Sequence, residues 1–217
     1  MNGADTVNSI AGLLIVTSIL VIGARQATRA ALLYSVQSLV LVSVLVSIGS
    51  VTGARQLYWW ALSALLTKAV LTPAILYRTI RKLGPLPPLP GPIGPAASII
   101  LAAVVVALSA VIVTPVQLPG AEEAFKPAFA VSLAHFFLGL AAIITQRSIM
   151  KQIFGYCLME NGSHLTLALL ANQAPELIEI GIATDAILAV IIMTVIGTHI
   201  QRTLHSLDSS ELVSLRG

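Results

Sequence analysis

Charged residues are scarce in this chain. Only 10% of the 217 residues are Asp, Glu, Lys or Arg, whereas 57% are hydrophobic and the mean hydropathy is +0.94. A soluble domain carries about 25% charged residues. The apolar excess is therefore surface that faces lipid, and this composition excludes an ordinary soluble domain.

Cysteine is almost absent as well. The single thiol, Cys157, excludes a disulfide within the chain and any zinc or iron–sulfur site that needs several thiolates of this chain. The sequence also has no nucleotide-binding loop, zinc-protease helix or hydrolase elbow. An enzyme that acts alone is therefore not expected, and other subunits would handle electrons or nucleotides.

Long apolar runs dominate what is present. Each of them has about 19–23 residues, enough for a helix to cross about 30 Å of hydrocarbon. The sequence therefore predicts an all-α, polytopic membrane protein with about seven transmembrane helices. The predicted spans are 7–23, 30–52, 57–79, 96–117, 127–145, 150–171 and 180–201.

Basic residues cluster at the ends of these runs, which explains the pI of about 9.3 without nucleic acid as a partner. With the N-terminus outside, nine basic residues fall inside and only Arg55 and Lys126 fall outside. Because Lys and Arg favour the cytoplasmic side, we expect a cytoplasmic C-terminus. The nine are Arg25, Arg29, Arg78, Arg81, Lys82, Arg147, Lys151, Arg202 and Arg216. The acids placed outside are Asp5, Glu122, Glu123, Glu176 and Glu179.

Prolines interrupt the pattern between the third and fourth runs. The stretch GPLPPLPGPIGP, residues 84–95, has six prolines in twelve residues, which precludes a helix and favours a stiff inside loop. It is a spacer or, alternatively, a docking surface for a partner. The predicted units are a three-helix unit at 1–83, the fourth helix with an outside loop at 96–126, and three helices with an inside tail at 127–217.

Three ionisable residues lie well inside the apolar runs: Lys68, Glu160 and Asp185. A charged side chain at the bilayer centre costs about 2.5–3.5 kcal/mol or more. Such residues usually mark an ion or proton path, the alternative being a neutral or paired group that only fixes helix packing. Lys68 could also snorkel. Pro73 follows it and frees a carbonyl near Ala69, which predicts a polar notch beside the lysine.

Two histidines accompany the carboxyl groups. His164 lies one turn from Glu160 on the same helix face, so it extends a proton relay or makes a structural hydrogen bond. His199 lies about 21 Å along the last span from Asp185, near its inner end. His135 on the fifth span is interpreted as a packing residue rather than a ligand.

Small residues flank Glu160. Gly155 and Gly162 bracket it and predict the close approach of a neighbouring helix. Cys157 lies one turn before Glu160 on the same face.

A family resemblance is carried by two long stretches, FGYCLMENGSHLTLALLA and APELIEIGIATDAILAVII. They closely resemble the hydrogenase-4 component E family, the membrane subunit of formate-hydrogenlyase-type complexes that contain group 4 nickel–iron hydrogenases. Further stretches fit the same family and extend the resemblance over essentially the whole chain, namely NSIAGLL, YSVQSLVLVS, SALLTKAVLTP and TLHSLDSSEL.

The last three helices also resemble the small K-type subunit of respiratory complex I. That subunit has a glutamate in each of its last two helices, on a proton path. Asp185 falls where the second glutamate is expected. The first position holds Cys157, and Glu160 follows three residues later on the same face.

The resemblance implies a subunit without catalysis of its own that contributes to proton or ion translocation in an energy-converting hydrogenase. Implied partners are antiporter-like and module-anchoring membrane subunits, the soluble hydrogenase arm and lipids, in a prokaryotic inner membrane. The nickel–iron centre and iron–sulfur clusters would belong to partner subunits. A passive scaffold in the same complex and an independent secondary transporter are the alternatives. The implied proton-path residues are Glu160, Asp185, Lys68, His164 and His199.

Overall fold

Each predicted apolar run forms a helix in the computed structural model, which describes residues 3–84, 95–118, 120–171, 175–204 and 206–209. The all-α, polytopic prediction is confirmed. Most of the proline-rich loop, Arg216 and the side chains of Glu122 and Glu176 lie outside the described residues. The helices are α1 (Gly3–Gly23), α2 (Ala27–Thr52), α3 (Gln56–Leu83), α4 (Pro95–Val113), α5 (Lys126–Thr145), α6 (Ile149–Leu170) and α7 (Glu176–Leu204).

Five of the described helices are long and apolar enough to cross a membrane: α1, α2, α3, α5 with the turn before it, and α7. Helix α4 contains a shorter apolar stretch, Ala97–Val113. Helix α6 has 22 residues but is less apolar, because it carries Lys151, Glu160, Asn161 and His164. Its polarity requires a protein environment rather than lipid.

That environment exists because α6 lies at the centre of the bundle. It packs against α1, α2, α5 and α7. Thirteen of its 22 residues are buried, and they are spread around the helix instead of forming one stripe. The polar residues of α6 are therefore surrounded mainly by other helices.

Glycines bring α5 and α6 into close contact. A Cβ atom on Gly139 of α5 would clash with the backbone nitrogen of Met159, and one on Gly162 would lie 2.5 Å from that of Phe136. Backbone atoms cannot move aside as a flexible side chain can. The predicted close approach at Gly155 and Gly162 is confirmed, and Gly139 supplies the matching position on the other helix.

Helix α3 is interrupted by a π-helical segment, Leu65–Leu71, with α-helix on either side. Pro73 cannot donate a hydrogen bond to the preceding turn, so the backbone has to rearrange there. The carbonyl oxygen of Ala69 instead accepts a hydrogen bond from the Ser35 hydroxyl of α2, at 2.5 Å. This confirms the predicted free carbonyl, and it fixes the segment that carries Lys68.

Candidate charge-transfer site

Lys68 and Glu160 form an ion pair between α3 and α6. The Nζ atom of Lys68 lies 2.5 Å from Oε1 of Glu160 and donates a hydrogen bond to it. The Lys68 side chain is 1% exposed and the Glu160 side chain is 13% exposed. Two of the predicted site residues, 92 positions apart in sequence, therefore meet inside the bundle.

The pair is chemically suited to exchange a proton. Lysine offers three N–H donors and an ionised carboxylate is a pure acceptor, so one transfer converts two charges into two neutral groups. Removing one partner of a buried pair costs about 3–5 kcal/mol because the other charge is left uncompensated. The charges of Lys68 and Glu160 are consequently interdependent.

A chain of hydrogen bonds runs beside this pair through four helices. Asn161 Nδ2 donates to Gln37 Oε1 at 2.8 Å, and Gln37 Nε2 lies 2.9 Å from His135 Nε2. His135 Nδ1 lies 2.6 Å from the Ser18 hydroxyl, which donates to the Leu14 carbonyl at 2.5 Å. The four polar side chains that form these hydrogen bonds are completely buried.

The partners fix the protonation of His135. An amide nitrogen can only donate, so His135 Nε2 accepts from Gln37. The Ser18 hydroxyl gives its hydrogen to a carbonyl, so it accepts from His135 Nδ1–H. The ring is therefore neutral, with its proton on Nδ1 and both nitrogens satisfied, which agrees with the interpretation of His135 as a packing residue.

A second pair of titratable groups joins α6 to α7. The Nε2 atom of His164 lies 2.8 Å from Oε2 of Glu179, and the two side chains are 0% and 4% exposed. The distance is that of an ion pair, although the angles do not meet hydrogen-bond geometry. The Trp60 ring of α3 lies against His164, with 5.7 Å between ring centroids.

The structure places Glu179 within a helix, whereas the sequence prediction left it before the last span, among the outside acids. Helix α7 begins at Glu176, four residues before the predicted start, so Glu179 lies in the first helical turn and faces inward. The signal was present in the spacing: Glu179, Ala183, Ala186 and Val190 follow one helical stripe, and all are buried.

Asp185 and His199 lie elsewhere on α7. Both side chains are exposed, and Asp185 falls outside the buried stripe of the helix. Neither residue forms an ion pair with another described residue. The structure thus joins Lys68 to Glu160 and leaves Asp185 on an outer face of the chain.

The described residues offer little to a metal ion. No group of three or more His, Cys, Asp or Glu side chains among them could hold one. Cys157 is a buried free thiol on α6.

Comparisons with known proteins identify the family. Residues 127–217 match the family described as NADH-ubiquinone/plastoquinone oxidoreductase chain 4L. The chain is 49% identical over 217 residues to Hydrogenase-4 component E of Escherichia coli and to that of Shigella flexneri, with 100% of each chain covered. It is 27% identical over 225 residues to an uncharacterized protein of Mycobacterium tuberculosis, with 99% of this chain and 98% of that protein covered.

No solved structure gives a significant match. The full-length identity includes all the described helices, and the chain 4L match includes nearly all of α5 and the whole of α6 and α7. The chain belongs to the hydrogenase-4 component E family and is a membrane subunit of a hydrogenase or complex I-like assembly.

Proposed function

We propose that this chain contributes to proton translocation in an energy-converting hydrogenase of the formate hydrogenlyase or hydrogenase-4 type. Electron transfer in partner subunits would drive the movement. The observation that carries the proposal is the Lys68–Glu160 pair inside the bundle. A pair of this kind rarely adds stability over well-packed apolar residues, so its presence favours a role in moving charge.

The environment of the pair supports transfer over a static role. Lys68 lies in a π-helical segment, a feature that occurs often at functional sites. Glu160 keeps 13% of its side chain exposed, so a proton can reach its carboxyl group from outside this bundle. His164 follows one turn later on the same helix, about 6 Å further along the axis.

Asp185 extends the proposal to partner subunits. A carboxylate that faced hydrocarbon would cost several kcal/mol, so an exposed Asp185 on a spanning helix indicates contact with another protein. We assign this contact to an antiporter-like or module-anchoring membrane subunit. His199 is exposed near the C-terminal end of α7 and would exchange protons with water on the cytoplasmic side.

The remaining parts of the proposal follow from the family. The complex would lie in the inner membrane of a prokaryotic cell, with the N-terminus of this chain outside and its C-terminus in the cytoplasm. The soluble hydrogenase arm would hold the nickel–iron centre and the iron–sulfur clusters. The matched relatives are named as components of hydrogenase-4, which supports this assignment.

A passive scaffold in the same complex is the second candidate. The buried hydrogen-bond chain from Asn161 to Ser18 favours it, because each donor there has an acceptor and the chain links four helices. A buried hydrogen-bond network that joins several helices specifies their packing. It contains neither Lys68 nor Glu160, so the two roles can coexist in one protein.

The test is proton movement coupled to hydrogen evolution in inverted membrane vesicles that hold the assembled complex. Glu160→Gln keeps the shape of the side chain and removes its titration. We expect proton movement to fall while hydrogen evolution continues. Glu123→Gln, at an exposed carboxylate in the turn before α5, serves as the control. If Glu160→Gln vesicles move protons as the wild type does, the scaffold candidate replaces this proposal.

A further inference from the structure

We propose that Glu179, His164 and Trp60 form a water-binding proton station at the end of the bundle where α6 and α7 connect. This inference rests on the proposed function and adds two residues, Glu179 and Trp60, that neither the sequence pattern nor the family resemblance assigns. The station would pass protons between Glu160 and the aqueous phase on that side of the membrane.

The first observation is the set of unsatisfied polar atoms. His164 Nδ1, Glu179 Oε1 and Trp60 Nε1 are buried and have no hydrogen-bond partner among the described residues. Buried polar groups are normally hydrogen-bonded to protein or to ordered water. The Trp60 and His164 rings are neighbours, with 5.7 Å between their centroids, and Glu179 contacts His164, so these unpaired groups belong to adjacent side chains and offer polar partners for a bound water.

The second observation is the location of the carboxyl group. Glu179 is 3% exposed, yet it lies only three residues from the start of α7, so it is buried close to the end of a spanning helix. A helix N-terminus favours negative charge in its first turn. The side chain is thus placed to exchange a proton with water at the membrane surface.

The third observation is the proximity of the main pair. Glu160, which is paired with Lys68, lies one turn before His164 on α6, and Glu179 Oε2 lies 2.8 Å from His164 Nε2. The axial rise between Glu160 and His164 is about 6 Å, roughly one helical turn, so the two side chains are neighbours on one face of α6. His164 therefore lies between the Lys68–Glu160 pair and Glu179.

The proposed step conserves protons. Water bound at the station accepts a proton from the Glu160 carboxylic acid as it delivers one to His164 Nδ1, so the water is unchanged and the products are a Glu160 carboxylate and an imidazolium. The imidazolium releases its other proton from Nε2 to the carboxylate of Glu179 at 2.8 Å, leaving a neutral ring and a carboxylic acid. The carboxyl group then releases the proton to bulk water, and rotation of the ring or return of the tautomer resets the site.

The experiment uses the assembled complex in inverted vesicles and compares Glu179→Gln, Glu179→Asp and Glu160→Gln. We expect Glu179→Gln to lower coupled proton movement by about tenfold or more, since a positioned proton-transfer group typically contributes about 10²–10⁴-fold. Glu179→Asp, which still titrates, should recover part of the coupling with a shifted pH profile. Thermal stability of the complex is measured on the same samples.

The outcomes separate the two proposals. If Glu160→Gln uncouples the complex and Glu179→Gln does not, the station is wrong and the proposed function stands. If neither variant uncouples it, the proposed function fails as well. If Glu179→Gln does not assemble, Glu179→Asp decides: an altered pH profile of coupling supports the station, and an unaltered profile overturns it. A purely structural contact would change thermal stability without changing that profile.

Discussion

The Lys68–Glu160 pair can be taken apart one charge at a time, and the structure predicts the order of the effects. Glu160→Gln leaves an ammonium that is 1% exposed without its carboxylate, whereas Lys68→Met leaves a carboxylate that is 13% exposed. Breaking a buried pair from one side costs about 3–5 kcal/mol in unfolding free energy. We expect the cost of Glu160→Gln to lie near the upper end of this range and that of Lys68→Met near its lower end. The reason is that the Lys68 ammonium is more completely desolvated than the Glu160 carboxylate.

The double variant Lys68→Met/Glu160→Gln removes both charges together. It should regain most of the unfolding free energy that each single variant loses. Replacing a buried ion pair by uncharged residues of similar volume often leaves stability unchanged or raises it. The measurement is unfolding of the subunit by SDS titration in mixed micelles, with the interaction energy taken from the double-mutant cycle. An interaction energy near zero would refute the pairing. A double variant that is stable and still couples proton movement to hydrogen evolution would refute its proposed role.

Two further predictions concern packing and assembly. Gly139→Ala should lower the unfolding free energy by about 1–3 kcal/mol through overpacking, because its methyl group would meet the backbone at Met159, whereas Gly181→Ala, with open space around it, should not. Equal effects of the two changes on SDS unfolding would contradict the close helix approach. Asp185→Asn should weaken copurification of partner membrane subunits and leave subunit unfolding unchanged, with the neighbouring exposed Thr184→Ala as control. Retention of all partners in Asp185→Asn would argue against contact at this position.

Much of the helical framework could be predicted from the sequence, because apolar runs of membrane length leave the backbone few alternatives. The effect of proline on the backbone could also be predicted from the local sequence. Pro73 predicted an unpaired carbonyl near Ala69, and Ser35 donates to that carbonyl. What the sequence did not predict was which helix supplies the donor, since this depends on how α2 packs against α3.

The candidate site could be predicted only in part, because it also depends on how the helices pack. Charges inside apolar runs identified Lys68 and Glu160 one by one, but their pairing depends on the placement of α6 at the centre of the bundle. Glu179 was assigned to a loop because the predicted helix began too late. Trp60 is fully buried, whereas its neighbours Tyr58 and Trp59 are exposed. In both helices, the spacing of the buried residues along the sequence would have placed these side chains on the buried face.

The central claim is that the Glu160 carboxyl group gains and loses a proton as the complex turns over. Infrared difference spectroscopy of the assembled complex, recorded between its resting state and hydrogen-evolving turnover, tests this directly. We predict a carboxyl stretching band in the wild type that is lost in Glu160→Gln and retained in Glu123→Gln. A spectrum in which the Glu160→Gln complex keeps every carboxyl band of the wild type would contradict the account.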